Sequence, residues 1–201
     1  MVKKFTQQEA LAIFVEGHFT RKQWEVIQSA SKNIYPCYSI IKDAKKECYP
    51  DKESTIVTET CSEVELQALL DHTASRLYKY VTEVVNTCSE EEKQNMVLIS
   101  KWGCDGSQQT QFKRKFQNSN DDANIFQSSL VPIRLVVIID GEQKKIIWQN
   151  PVPSSTRFWR PMRIRFIAES KDVTKDEIRY FENRIKSLTK TEVSTLNGTY
   201  K

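Results

Sequence analysis

The chain has 201 residues, 39% of them hydrophobic and 28% charged, with a net charge of +4. That is enough for one domain with a sizeable core, or two small ones, and the proportions are those of a soluble globular protein. No apolar run approaches the roughly 20 residues that span a bilayer, and MVKKFTQQEA has no apolar leader, so an intracellular protein without a membrane anchor is expected.

Cys37, Cys48, Cys61, Cys88 and Cys104 are odd in number and form no C-x-x-C pair, which argues against a disulfide framework or a zinc site. His18 and His72 lie far apart in sequence, and no Ser-His-Asp motif accompanies them, so both are read as structural or surface residues.

Residues 1–92 read as helical. Thr6-Gln7-Gln8-Glu9 is a capping box, followed by Leu11, Phe14 and Val15 at helical spacing. Gly17 suits the end of that helix. Thr20-Arg21-Lys22-Gln23 opens a second helix with Trp24 and Ile27 as its stripe, and a helix pair on a short link is one shape that reads DNA, although helical hairpins are common. A third helix is expected over 39–47, before Pro50, with Lys42, Lys45 and Lys46 on a solvated face. The longest helix is expected from Ser62-Glu63-Val64-Glu65 to about Asn86, its stripe carrying Leu66, Leu69, Leu70, Thr73, Leu77, Tyr80, Val81 and Val84.

After an acidic link at Ser89–Lys93 the pattern changes to strands. Met96–Trp102 reads as a strand buried on both faces, with Asp105 at its end. Ser107–Asn124 is polar and reads as a surface insertion carrying Lys113, Arg114 and Lys115. Ser129–Ile139 is a second strand, Pro132 marking an edge or a bulge. Asp140-Gly141 is a turn, and Lys145–Gln149 returns. Asn150–Ser155 is a proline-stiffened loop, Pro161–Ala168 is extended, and Thr174-Lys175-Asp176-Glu177 opens a helix whose face is Ile178, Phe181, Ile185 and Leu188. The fold class expected is α+β: a helical region over 1–92, then a sheet of three antiparallel strands plus a helix over 93–201.

Two features carry chemistry. In MVLISKWGCDGS, Met96–Ser107, a carboxylate held by a rigid strand suits a hard cation, and Gly106 leaves room for a ligand or another backbone; Asp-Gly is equally the sequence of a turn. Between Glu142 and Glu169 there is no acidic residue, while Lys144, Lys145, Arg157, Arg160, Arg163 and Arg165 alternate with Trp148, Phe158, Trp159 and Phe166. Cations among aromatics hold phosphates and stack on bases, or they form one basic and one packed face of a strand pair.

The stretches ALAIF, IYPCYSIIKDAKKECYP, VTETCSEVELQALLDHTASRL, SKWGCDGS, IFQSSLVPIRLV and WQNPVPSSTRFWRPMRIRFIAES resemble the Transib DNA transposases, relatives of the catalytic subunit of the V(D)J recombinase, over about residues 9–190. The resemblance implies an RNase H-like catalytic domain in which three carboxylates hold Mg2+ or Mn2+ for DNA nicking and strand transfer at transposon ends, in a nuclear, homodimeric protein. Asp105 matches the first carboxylate, both catalytic and metal-binding. The family's second aspartate and its glutamate match nothing before Lys201, so a fragment, inactive alone, is expected; a non-catalytic DNA-binding module is the alternative. Glu169 and Asp172, between a strand and a helix, are the other acidic residues placed near such a site or at its margin; Asp140 belongs to a turn. The six cations between Lys144 and Arg165 are the expected DNA contacts.

Overall fold

A computed structural model of the chain describes residues 3–108, 124–195 and 198–200. It forms two compact units, Met1–Pro50 and Asp51–Lys201. The division falls earlier than the change from helix to strand at 92, because the helices after Pro50 share their core with the sheet.

The first unit is three helices. Thr6 caps α1 (Gln7–Glu16) and Thr20 caps α2 (Arg21–Ala30), each through a reciprocal box with the third helical residue. Gly17 ends α1. Both helices pack on α3 (Tyr38–Lys46) around Ala10, Leu11, Phe14, Trp24, Ile41 and Ala44. Trp24 is wholly buried, and its indole N–H donates to the Pro36 carbonyl at 3.0 Å, so its one polar atom is satisfied. Lys45 lies 4.3 Å over the Phe14 ring and Lys46 pairs with Asp43, so two of the three α3 lysines are engaged locally.

The second unit is a six-stranded antiparallel sheet with helices on one face. Its elements are β1 (Thr55–Val57), β2 (Cys61–Val64), α4 (Leu66–Tyr80), α5 (Thr82–Asn86), α6 (Glu90–Gln94), β3 (Met96–Gln108), β4 (Asn124–Ile139), β5 (Glu142–Gln149), β6 (Arg160–Arg165) and α7 (Lys171–Lys186). A small hairpin, β7 (Val193–Thr195) with β8 (Gly198–Tyr200), follows. The path across the sheet is β1-β2-β6-β4-β3, with β5 also on β4. Among the described residues there are seven α-helices, and none is long and apolar enough to cross a membrane.

The long strand β4 organises this unit. β6 pairs with its first half, Phe126–Leu130, and β5 with its second, Arg134–Ile139, both on the edge opposite β3. Between them the register slips by one residue: Ile99 faces Arg134 but Ser100 faces Pro132. Pro132 has no N–H to give a ladder, which makes this the place for a bulge. Buried Asn150 closes the gap, its backbone N–H donating to the Ile133 carbonyl and its side chain to that of Pro132. The slip has a packing consequence. Phe126, Ser128 and Leu130 are buried at even positions. In the second half Leu135, Val136 and Val137 are all buried, and it is the odd ones, Leu135 and Val137, that pack with the helix residues Tyr78 and Val85; without the extra residue one set would point away from the helices. With it, α4 lies along both halves, its Leu66 and Leu69 beside Leu130 and its Tyr78 beside Leu135 and Val137.

Several expectations from sequence are corrected. Met96–Ile99 is not buried on both faces: Val97 and Ile99 are 41% and 40% exposed, alternating with half-buried Met96 and Leu98. β3 continues to Gln108, so Asp105 lies inside the strand, opposite Gln127, instead of at its end. The sheet has six strands rather than three: 62–64, expected to open the long helix, is in a strand, and the extended pieces expected at 55–58 and 161–168 join the same sheet on either side of it. The long helix therefore begins at Leu66 and is broken at Val81. α7 begins at Lys171 with Ser170 as its cap, which puts Thr174-Glu177 inside the helix. Ser107, Gln108 and Asn124, expected in the polar insertion, belong to β3 and β4; Lys113, Arg114 and Lys115 lie outside the described residues.

Candidate active site

Asp105 and Glu169 meet at one backbone N–H. Gly106 N–H lies 3.0 Å from Asp105 Oδ1 and 3.1 Å from Glu169 Oε2, so both carboxylates accept from the same donor. Asp105 is on β3, exposed; Glu169 comes from the link between β6 and α7, one residue before the Ser170 cap. One hydrogen bond, from Gly106 N–H to Glu169, thus links chain segments 63 residues apart and brings Glu169 to the donor that Asp105 also uses.

Gly106 is what permits the approach. A Cβ there would lie 2.5 Å from Glu169 Cβ and 2.6 Å from its Oε2, closer than non-bonded atoms allow. The glycine is not at a turn and its φ is not positive; its role is the missing side chain. Asp140-Gly141 shows the other fate of the same dipeptide, a tight β4–β5 turn with φ +54° and +76°.

Neither Asp105 nor Glu169 has an ion-pair partner among the described residues. Asp172, in the first turn of α7, is exposed. Cys104, beside Asp105 in sequence, points to the helical side opposite Ser128. Burial pushes its thiol up, and the charges of Glu177, Glu169 and Asp105 add to the shift, so it stays a neutral thiol and is a poor metal ligand. The donors on offer are carboxylate oxygens, which suit Mg2+ or Mn2+. No group of three His, Cys, Asp or Glu residues able to hold a metal occurs among the described residues.

The six cations of the acid-free interval divide. Arg163 and Arg165 do not face solvent as a basic stripe: Arg163 Nη1 lies 3.2 Å and Arg165 Nη1 3.0 Å from Glu177 Oε2. Arg163 Nε is also 3.2 Å from Glu63 Oε2, an ion pair without hydrogen-bond alignment. Glu177 is 1% exposed and accepts from Ser128 Oγ at 2.6 Å; Glu63 pairs with Arg184 and accepts from the Tyr180 hydroxyl. Lys144 pairs with Glu142, and Lys145 lies 4.0 Å from Glu92 and 3.5 Å from Cys88 Sγ. Arg160 donates to the Arg157 and Trp159 carbonyls, and Arg157 sits 5.8 Å from the Phe158 ring. Of these two, Arg157 is exposed and Arg160 half-buried.

Sequence reasoning missed the Glu63–Glu177 network. A signal existed: Glu177 stands four residues before Phe181 on the apolar face of α7, and an acidic residue there implies buried cationic partners.

No protein-family model matches the chain, and none of the curated proteins matches it significantly.

Proposed function

We propose that Asp105 and Glu169 are two ligands of a divalent-cation site in a DNA-processing domain of the Transib transposase type, built on an RNase H-like sheet. The observation that carries this reading is the convergence of the two carboxylates on Gly106 N–H, at the block SKWGCDGS that resembles the family. The antiparallel order β3, β4, β5, with an acidic residue on the first strand and a helix after the sheet, supports it.

Asp105 and Glu169 would hold Mg2+ or Mn2+, which when bound polarises a phosphodiester and activates the attacking oxygen. The chain's own contribution is orientation. Gly106 N–H fixes one oxygen of each carboxylate, leaving the others for a cation, and Glu169 tethers the head of α7 to β3. Two carboxylates are few for a cation that keeps its waters tightly, so weak binding and no DNA nicking by this chain alone are expected.

The test is Mn2+ titration followed by calorimetry, with nicking of supercoiled DNA in Mg2+ alongside. Weak Mn2+ binding that disappears in both Asp105→Ala and Glu169→Ala is the expected result. Mn2+ binding indifferent to both substitutions would sink the site. Nicking by the unaltered chain that Asp105→Ala abolishes would confirm the carboxylates and overturn the expected inactivity.

A further inference from the structure

Trp159 is a large aromatic with no place in any core: its side chain is 46% exposed, whereas Trp24 is wholly buried and Trp102 and Trp148 are half-buried against core clusters. The backbone that presents it is firmly held. Thr156–Phe158 form a single 3-10 turn; Ser155 Oγ caps it by accepting from Arg157 N–H, and Trp159 N–H closes it on the Thr156 carbonyl. Arg160 ties the turn from outside through the Arg157 and Trp159 carbonyls. Behind it the Phe158 ring packs 6.1 Å from Trp148, which joins the turn to the sheet. On the other side of the sequence, Asn150 pins the proline loop by accepting from Val152 N–H.

We propose that this turn is a nucleobase platform, on which the Trp159 indole stacks an unpaired base of the DNA handled at the carboxylates, with Arg157 and Arg160 drawing the flanking phosphates. The proposal rests on the DNA-processing reading above. An exposed, rigidly mounted aromatic loses little freedom on stacking, and every base offers it a face. The acid-free interval from 143 to 168 leaves no carboxylate in its own stretch of chain to repel a phosphate backbone. The placement suits the same substrate. Arg160 pairs with Leu130 and Leu130 with Trp102, three residues along β3 from Asp105. At about 3.3 Å per residue along a strand and about 4.8 Å between strands, Trp159 lies roughly 15 Å from Asp105. That places the stacked base a few nucleotides from the phosphodiester at the carboxylates.

The experiment measures, by fluorescence anisotropy at fixed salt, the affinity of the full chain for a paired duplex and for the same duplex with a short unpaired run. Unaltered chain, Trp159→Ala and Trp159→Phe are compared, with 2-aminopurine in the unpaired run reporting stacking. The expected result is a preference of about tenfold for the unpaired substrate, lost in Trp159→Ala and largely kept in Trp159→Phe, with duplex affinity little changed. If the duplex is bound but the unpaired substrate gains nothing, or if the preference survives Trp159→Ala, the platform is overturned while the DNA reading stands. If the unaltered chain binds neither DNA, both fall, and an exposed Trp between arginines becomes a protein contact.

Discussion

Two acidic pairs sit on the same sheet, and they have opposite surroundings. Glu63 and Glu177 are buried between β2, β6 and α7, where three guanidinium groups, a serine and a tyrosine answer them. Asp105 and Glu169 lie at β3 and are answered by one backbone N–H among the described residues. A buried carboxylate without counter-charge is too costly to keep, so the first pair is neutralised within the fold. The second is exposed, where water supports its charge. The contrast separates carboxylates that hold the unit together from carboxylates that the unit holds out.

Removing a member of the first pair is expected to have the largest effect. Glu177→Ala leaves Arg163, Arg165 and the wholly buried Ser128 without their common acceptor. Breaking a buried ion pair costs about 3–5 kcal/mol, and the partial exposure of both arginines favours the lower end. That is a large share of a typical stability of about 5–15 kcal/mol. Urea denaturation measures it. The companion substitution Asp105→Asn, at the exposed pair, is expected to change stability by less than about 0.5 kcal/mol. Equal losses at the two sites would erase the distinction.

The same contrast shows what sequence made legible. Helix starts at Thr6 and Thr20 were readable because a capping box is a local device whose partners stand three residues apart. The pairing of Cys61–Glu63 with β6 was not, since its partners lie about a hundred residues away and Ser62-Glu63 also fits a helical start. Asp-Gly occurs twice, and local sequence gives both copies the same reading. At Asp140 nothing crowds the glycine and the chain turns; at Asp105 a distant glutamate occupies the missing side chain's space and the strand continues. Arg163 and Arg165 read from sequence as DNA contacts; their pairing with Glu63 and Glu177 was not legible, because those carboxylates belong to other elements.

Gly106→Ala sharpens the comparison at intermediate size. The added methyl would meet Glu169 at its Cβ and Oε2, so the glutamate must leave and the link before α7 must shift. Overpacking of this kind costs about 1–3 kcal/mol. Mn2+ binding is expected to fall in Gly106→Ala as it does in Glu169→Ala. A crystal structure of Gly106→Ala with Glu169 unmoved would show that the close approach is not what the glycine serves.

A loss smaller than that of Glu177→Ala is expected at the rim of the buried pair, and there it depends on pH. The Tyr180 hydroxyl donates to Glu63, which Arg163 and Arg184 also neutralise, so Tyr180→Phe removes one of several partners and costs about 1 kcal/mol near neutral pH. Burial raises the phenol above its ordinary value of 10, and the hydrogen bond to Glu63 adds to the shift, with Arg184 opposing it. A raised value means that the fold favours the protonated ring. The stability this contributes is complete below pH 10, where the unfolded chain's tyrosine is also protonated, and it is lost as pH climbs through the folded value. Tyr180→Phe has no such proton to lose, so its deficit against the unaltered chain is expected to shrink above pH 10. Parallel stability curves for the two proteins across that window would mean that Glu63 is held by its arginines alone.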